Sequence, residues 1–287
     1  MNALMRSGSV AARRIARVRL RAHAHARGSV EAPATSYVIC TTPRSGSWLL
    51  SEGLAASGRA GNPREWFNEL EEPPFRDRWR LAHASELPFE HYLAQAQAAS
   101  TTSNGVCGLK LHFDQFRNLP RKLASLQGYR GLNSEQCLAK LLPRARFIWL
   151  SRRDKVRQAV SLLLAIRTGR WWSIDGVRPE FPLGDSREPE FDAEHIALLE
   201  RQLLASDAGW QAHFRRQDIT PLMVPYEDLQ ADYGGTVARV LEWLGVATAA
   251  AAPLPVPRLQ RQSDDRNEAW VARYSNILHG LDREPAS

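Results

Sequence analysis

The chain has 287 residues, of which 44% are hydrophobic and 24% are charged, a composition typical of an ordinary soluble globular protein. Its formal net charge of +7 is concentrated at the start, because residues 1–30 contain seven arginines and no acidic residue. The rest of the chain holds 31 basic and 31 acidic residues, which disfavours a general nucleic-acid-binding surface. No apolar run approaches the roughly 18 residues that a transmembrane helix needs, so we predict a cytoplasmic protein without a membrane span.

The arginine-rich start, residues 1–33, is predicted to be a disordered extension that precedes a single domain over residues 34–287. Such a segment is a solvated tail, an anchor for an anionic membrane surface or a mimic of a transit peptide, and the sequence leaves these alternatives open. Peripheral membrane contact through the tail is therefore one hypothesis. The cysteines, Cys40, Cys107 and Cys137, lack metal-binding spacing and lie in apolar segments, so we expect reduced core thiols and no metal site.

Strands and helices alternate along the rest of the chain. The predicted elements, in chain order, are a strand at 36–40, a helix at 47–57, an irregular surface excursion at 60–79, a helix after Pro88, a strand at 105–113, a helix at 134–142, a strand at 147–150, a helix from Asp154 to Gly169, a loop at 173–192, a helix at 193–216, a strand in 221–225 and a last substantial helix at 236–246. This alternation predicts an α/β fold with a parallel central sheet flanked by helices, in which ligands bind at the carboxyl ends of the strands.

The turn TTPRSGS, residues 41–47, predicts an anion site between the first strand and the first helix. Backbone N–H groups at a helix start are unpaired and carry partial positive charge, so they stabilise a phosphate. Gly46 permits close approach of the backbone, and the guanidinium of Arg44 supplies a permanent charge with forked donors. A Walker A pattern is absent, which disfavours a nucleoside triphosphatase. A nucleotide-dependent kinase and a non-catalytic nucleotide- or sugar-binding protein remain alternatives.

A second segment, RFIWLSRRDKVRQAVSLLLA, places Arg153 after a strand end and Ser161 eight residues later in the following helix. Together with TTPRSGSWLL it resembles the sulfotransferases that use 3'-phosphoadenosine 5'-phosphosulfate (PAPS). GNPREWF, GLKLHFDQF, YEDL and RQSDDRNEAWVARY follow the order seen in the bacterial trehalose 2-sulfotransferase family and its carbohydrate-sulfating relatives. The resemblance covers about residues 36–275 and implies a P-loop-like sulfotransferase fold and a homodimer.

The resemblance also implies PAPS as the sulfuryl donor, with no metal. The residues implied in donor binding are Arg44, Ser45, Gly46, Ser47 and Trp48 at the 5'-phosphosulfate, Arg153 and Ser161 at the 3'-phosphate, and Arg261 and Gln262 closing over the nucleotide. Arg44 is expected to stabilise the charge of the departing phosphate, because a guanidinium does not release its proton at neutral pH.

Transfer to a hydroxyl needs a base, and the resemblance implies Glu65 of NPREWF in that role. A carboxylate in an aromatic-lined loop is expected to have its pKa raised by desolvation, which makes it a better base. His112, after GLKL, is the rival base because imidazole titrates nearest to neutrality. Lys110, on the same strand face as His112, is a candidate for stabilising the sulfuryl group.

The implied acceptor is a carbohydrate hydroxyl, on a trehalose-like disaccharide, a glycolipid or a lipopolysaccharide sugar. The candidate acceptor-binding residues are Trp66, Phe67, Trp171 and Trp172 as flat faces for sugar rings, with Glu65, Glu69 and Asp114 binding hydroxyls. The YEDL segment is interpreted as structural, with Asp228 near a helix start.

Overall fold

In the computed structural model of this chain, the described residues are 33–69, 72, 89–171, 188–246 and 265–281. The predicted basic tail therefore lies outside the described residues up to position 32, as does most of the predicted loop at 173–192. The described elements, in chain order, are β1 (Thr35–Thr41), α1 (Ser47–Ala56), α2 (Phe89–Ser100), β2 (Val106–His112), α3 (Phe113–Leu123), α4 (Ser134–Leu141), β3 (Arg146–Ser151), α5 (Lys155–Thr168), α6 (Ala193–Arg216), β4 (Leu222–Pro225), α7 (Tyr226–Ala231), α8 (Tyr233–Trp243) and α9 (Asp265–Leu281).

The four described strands form one parallel sheet in the order β2-β1-β3-β4, which confirms the predicted α/β architecture. The chain moves from β1 to β2 on one side and then crosses to β3 on the other side of β1. The loops after β1 and β3 therefore diverge, which leaves a crevice between the carboxyl ends of these two strands, where ligands bind in open α/β sheets. The register also places Thr41 at the end of β1 directly beside His112 at the end of β2.

Alternating side chains of the strands build a core on each face of the sheet. On one face, Ile39 and Leu150 pack with residues of α1 and α8 such as Leu50 and Val240. The other face carries the cysteines predicted to be core thiols, and they are buried and unpaired. Helices therefore cover both faces, and access to the sheet is left at the strand ends.

Local signals explain why the helix after β3 begins and ends where it was predicted. The side chain of Asp154 accepts a hydrogen bond from the backbone N–H of Arg157, which caps the start of α5. Gly169 ends the helix in the left-handed conformation, with φ of 66°. The prediction for this helix is confirmed, and local signals account for both of its ends.

Two helices were not predicted. Helix α9 follows the helix that the sequence pattern indicated as the last, and it buries Trp270 and Tyr274 against α5 and α6. Helix α3 starts directly after His112 and contains Pro120. The proline removes one backbone donor, but the apolar residues of this helix, Phe116 and Leu119, are buried and keep it on the sheet.

The segment 61–67 is irregular apart from one bridge, as predicted, but it is mostly buried, so the prediction of a surface excursion is wrong for these residues. Arg64 pairs with Leu109 as an isolated parallel bridge, and the backbone N–H of Lys110 donates to the carbonyl of Arg64 at 3.1 Å. Gly61 makes this docking possible, because a Cβ there would lie 2.5 Å from the carbonyl oxygen of Ser100. The segment thus lies along the outer edge of β2, with Glu65 buried beside the strand.

Candidate active site

The turn after β1 is held in shape by hydroxyl groups that the chain buries. The Thr41 hydroxyl donates to the carbonyl of Leu150 at 2.9 Å and lies 2.5 Å from the Ser45 hydroxyl. Because Ser45 is fully buried, its side chain holds the turn, and its predicted place in the donor site stays a prediction. Gly46 has φ of 81°, and a Cβ at this position would overlap the ring of Tyr226.

A glutamine of α5 fixes the same turn from the opposite side of the crevice. The Gln158 side-chain amide donates to the Thr42 hydroxyl at 2.9 Å and to the Pro43 carbonyl at 2.7 Å. Lys155 donates to the Gln158 side-chain oxygen at 3.0 Å and forms an ion pair with Asp207 of α6 at 2.5 Å. This chain of contacts holds the anion-site turn at a constant distance from α5.

Arg44 reaches the residue that the resemblance assigns to the other phosphate. Its Nε donates to the Ser161 hydroxyl at 3.0 Å, and its guanidinium also donates to the backbone carbonyl of Trp171. Burial and the like charge of Arg152 lower the pKa of Arg44 to about 10, so it stays protonated at neutral pH. The structure therefore brings Arg44 and Ser161 together across the crevice.

Arg153, by contrast, does not contact Ser161 in this conformation. Its side chain is exposed and donates to Asp228 at 2.9 Å, while its backbone N–H donates to the Glu227 carboxylate. Asp228 was predicted near a helix start, and it lies within the first turn of α7. Its side chain pairs with Arg153, so the YEDL segment, which starts α7, contacts the loop after β3.

The implied base, Glu65, lies in a cluster of polar side chains at the end of β2. One carboxylate oxygen forms an ion pair with Lys110 Nζ at 2.9 Å and lies 3.7 Å from His112 Nε2. The other oxygen accepts hydrogen bonds from the side-chain amides of Asn68 at 2.9 Å and Gln115 at 3.1 Å. Both predicted candidates for the base and the predicted lysine are thus in one site.

Burial alone would raise the pKa of Glu65, but its surroundings reverse that effect. The electrostatic effects of His112 and Lys110 and the hydrogen bonds from Lys110 and Gln115 hold the pKa of Glu65 well below its ordinary value. The prediction that desolvation raises this pKa is wrong for this conformation, because the sequence did not reveal how many donors surround the carboxylate. Glu65 is therefore ionised at neutral pH.

Trp48 joins this cluster to the turn after β1. It is the second residue of α1, and Lys110 Nζ lies 4.3 Å from the centre of its ring. The guanidinium of Arg64 lies 4.7 Å from the same ring. Because Trp48 directly follows the turn, the carboxylate cluster and the predicted anion site share one wall.

The aromatic residues predicted to stack on sugar rings occupy other positions. Trp66 and Phe67 are 1% and 3% exposed and belong to the core under the sheet, so the prediction that they stack on an acceptor is wrong. The indole N–H of Trp66 donates to the Ser100 hydroxyl at 2.7 Å, which fixes the ring there. Trp171 is half-buried against the cluster formed by α5, α6 and α9.

The other predicted site residues either lie on the surface or fall outside the described residues. Asp114 is exposed in the first turn of α3, two residues after His112. Glu69 is exposed and pairs with Arg121 at 3.0 Å. Trp172, Arg261 and Gln262 lie outside the described residues.

Sequence reasoning missed four residues of this region: Gln115, Arg152, Gln158 and Tyr226. Gln115 was detectable, because a glutamine three residues after a helix start is part of a capping-box pattern, and its side-chain oxygen accepts from the backbone N–H of His112. The others act between segments far apart in the chain, and no local pattern indicates such contacts.

Two further findings concern metal sites and membrane spans among the described residues. Among them, no group of three or more His, Cys, Asp or Glu side chains is placed to hold a metal ion. No helix in the described ranges is both long and apolar enough to cross a membrane.

A parallel sheet with an anion-site turn after β1, facing guanidinium groups and a buried carboxylate–lysine pair, defines a group-transfer enzyme of the α/β class. The family described as Stf0 sulphotransferase matches residues 36–276 of the chain. This protein therefore belongs to the Stf0 sulphotransferase family and is a sulfotransferase, so the alternative of a kinase is wrong.

Two relatives carry the name trehalose 2-sulfotransferase. The protein from Mycolicibacterium smegmatis is 32% identical over 265 residues, which is 84% of this chain and 94% of the relative. The protein from Mycobacterium tuberculosis is 30% identical over 258 residues, which is 83% of this chain and 93% of the relative. The sulfotransferase resemblance drawn from the sequence is thereby confirmed.

Among solved structures, the sulfotransferase domain from the curacin biosynthetic pathway gives a TM-score of 0.47 at 14% identity, covering 82% of this chain and 83% of that chain. A sulfotransferase from Alicyclobacillus acidocaldarius gives a TM-score of 0.44 at 15% identity, covering 86% of this chain and 95% of that chain. Likeness of this degree carries no information about the site.

Proposed function

We propose that this sulfotransferase uses PAPS as its donor and a hydroxyl of a carbohydrate as its acceptor. The observation that carries the proposal is the buried Glu65–Lys110 pair, which lies beside His112 and shares Trp48 with the turn after β1. The arrangement supplies a carboxylate and a cation next to the place where an anionic group would bind. Sulfuryl transfer needs both: one group to take a hydroxyl proton and another to stabilise negative charge.

The residues of the crevice fit a donor that carries phosphate groups. The Arg44 and Arg152 guanidiniums lie close enough for the charge of Arg152 to lower the pKa of Arg44, and burial lowers both values. Two half-buried like charges favour an anion between them. PAPS would supply the sulfuryl group and a phosphate leaving group. Arg44 would stabilise the charge of that phosphate, Ser47 and the first turn of α1 would bind it, and Ser161 would lie near the 3'-phosphate.

In the proposed reaction Glu65 takes the proton of the acceptor hydroxyl. Its pKa is held low partly by Lys110, so the carboxylate is a weak base as long as this ion pair is intact. A negative charge that draws Lys110 away would leave burial to raise the pKa of Glu65, which would make it a stronger base. The proposal therefore assigns Lys110 to the transferring group and links its movement to activation of Glu65. His112 would then orient the carboxylate or replace it as the proton acceptor.

The identity of the acceptor, the location of the protein and its oligomeric state are part of the same proposal. The names of the two relatives support trehalose, or a disaccharide like it, as the first acceptor to test. A glycolipid or a lipopolysaccharide sugar would present a similar hydroxyl, and contact of the basic residues 1–33 with anionic lipid would suit such an acceptor. We further propose a cytoplasmic homodimer in which residues 34–287 form the single transferase domain.

The test is a transfer assay with PAPS and trehalose, in which released adenosine 3',5'-bisphosphate and sulfated sugar are both measured. Glu65→Gln is expected to lower kcat by about 100- to 10,000-fold, the usual contribution of a general base. Glu90→Gln is the control, because this carboxylate is exposed in the first turn of α2 and has no predicted role in the site. Product formation that does not depend on trehalose refutes the acceptor, and full activity of Glu65→Gln refutes the base.

A further inference from the structure

Two consecutive arginines follow β3, and the structure gives them opposite surroundings. The Arg153 side chain is 61% exposed and forms an ion pair with Asp228 at 2.9 Å. Arg152 is half-buried, and one of its terminal nitrogens donates to the backbone carbonyl of Arg44 at 3.3 Å. Its Nε is buried and has no hydrogen-bond partner among the described residues. Arg152 is thus a cation with an unused donor, directed at the turn after β1.

An aromatic ring holds this guanidinium at the turn. The guanidinium carbon of Arg152 lies 4.7 Å from the centre of the Tyr226 ring, a cation–π contact. The same ring packs against the backbone of Gly46, so closely that a Cβ at position 46 would overlap it. Tyr226 therefore fixes Arg152 relative to the backbone of the turn, and a guanidinium that is already oriented loses less entropy when it binds an anion.

Arg152 has no direct counter-charge in the part of the chain that the structure describes. No described carboxylate forms an ion pair with Arg152, although Asp154 and Glu227 act on it at longer range. Arg44 lies near enough to feel the charge of Arg152. Two half-buried guanidiniums close to each other repel, and a phosphate with two negative charges bound between them would relieve that repulsion.

We propose that Arg152 binds the 5'-phosphate end of the donor nucleotide at the turn after β1, beside Arg44. The inference rests on the proposed function, because it takes a phosphate-bearing nucleotide as the donor. The unused Nε–H and a neighbouring N–H group form a fork that can donate to two oxygens of one phosphate. Arg152 contacts the turn, whereas Arg153 faces Asp228, so the two arginines serve different purposes.

The experiment is isothermal titration of adenosine 3',5'-bisphosphate and adenosine 5'-phosphate into the wild type, Arg152→Gln and Arg153→Gln. Arg152→Gln is expected to weaken both nucleotides by the same factor, about 10- to 100-fold, because both carry the 5'-phosphate. Arg153→Gln removes the same charge one residue away and is expected to change the affinity for adenosine 5'-phosphate by less than about threefold. Arg152→Lys keeps the charge without the fork and is expected to recover only part of the loss.

Equal weakening of adenosine 5'-phosphate by the two glutamine variants would overturn the inference, because net charge alone would explain it. Weakening of the bisphosphate alone by Arg152→Gln would also overturn it. If Arg152→Gln does not fold, Tyr226→Leu removes the aromatic support and is expected to weaken both nucleotides in parallel. A wild type that binds neither nucleotide refutes the proposed donor. Inorganic pyrophosphate then becomes the probe: binding that depends on Arg152 keeps the inference, and absence of binding overturns it.

Discussion

Replacing Lys110 by Met tests whether the Glu65–Lys110 pair holds the site together. The two charged atoms are 2.9 Å apart, and both side chains are at most 4% exposed. With an effective dielectric constant of about 20, the attraction at this distance is about 6 kcal/mol before desolvation is subtracted. Removing one partner of a buried pair costs about 3–5 kcal/mol, because the other charge stays buried. We expect a loss of that size for Lys110→Met, since methionine keeps the apolar stem.

The assay is urea denaturation at pH 7, followed by the fluorescence of the nine tryptophans. Adding Glu65→Gln to Lys110→Met is expected to return about 2–3 kcal/mol, because an amide needs no counter-charge and still accepts from the neighbouring donors. Arg121→Met, which breaks the exposed pair with Glu69, is the control and is expected to cost less than about 1 kcal/mol. The reasoning would be refuted if Lys110→Met lowers the stability by less than about 1 kcal/mol. It would also be refuted if adding Glu65→Gln to Lys110→Met lowers the stability further.

The pH dependence of stability gives the same pair a second test. The folded-state pKa of Glu65 lies below its unfolded value, which is about 4.3. The stabilisation that this shift provides is therefore complete above about pH 4.3 and is lost as the pH falls towards the folded-state pKa. Glu65→Gln is expected to lose less stability than the wild type between about pH 5 and pH 3, as measured by the same denaturation curves.

Three further substitutions separate the roles of the turn, the core and the carboxylate cluster. Gly46→Ala is expected to lower the stability by about 2–3 kcal/mol and to weaken binding of adenosine 3',5'-bisphosphate, because the Cβ meets an aromatic ring and a φ of 81° is strained for alanine. Gly58→Ala is the control: its φ is 67° but the space around it is open, so we expect a loss of about 1 kcal/mol and unchanged binding. Trp66→Phe is expected to lower the stability by about 1–3 kcal/mol without changing the KM of the acceptor, since the ring lies in the core. Gln115→Leu removes a hydrogen bond that lowers the pKa of Glu65, so the acidic limb of the kcat/KM profile is expected to move to higher pH; an unmoved limb would exclude Glu65 as the titrating group.

The sequence was sufficient for elements whose boundaries depend on neighbouring residues. Asp154 caps α5 and Gly169 ends it, and both signals lie within the helix or one residue beyond it. The turn after β1 was found in the same way, because a short glycine-containing segment separates an apolar strand from an apolar helix. The expected parallel sheet followed from the alternation of these elements, since a parallel pair of strands requires a crossover between them.

Contacts between distant segments could not be predicted from such signals. Glu65 and Lys110 are 45 positions apart, and the segment that carries Glu65 has no strand-like alternation to reveal that it docks on β2. The resemblance supplied the identity of Glu65 but not the ring of donors that reverses the effect of burial on its pKa. For the same reason the pattern of Arg153 and Ser161, read as one phosphate site, did not indicate that Arg44 reaches Ser161.

The candidate base and the edge of the sheet depend on each other. Glu65 meets Lys110 only because Arg64 pairs with Leu109, and this bridge is the attachment of the segment to β2. Trp66 and Phe67 of the same segment are buried in the core, and drawing one charge away from the ion pair leaves the other buried without a counter-charge. A ligand that competes for Lys110 would therefore weaken the attachment while it raises the basicity of Glu65. An anion that binds Lys110 strongly would loosen the segment that carries Glu65. This favours a transient contact between Lys110 and the transferring group over a lasting one.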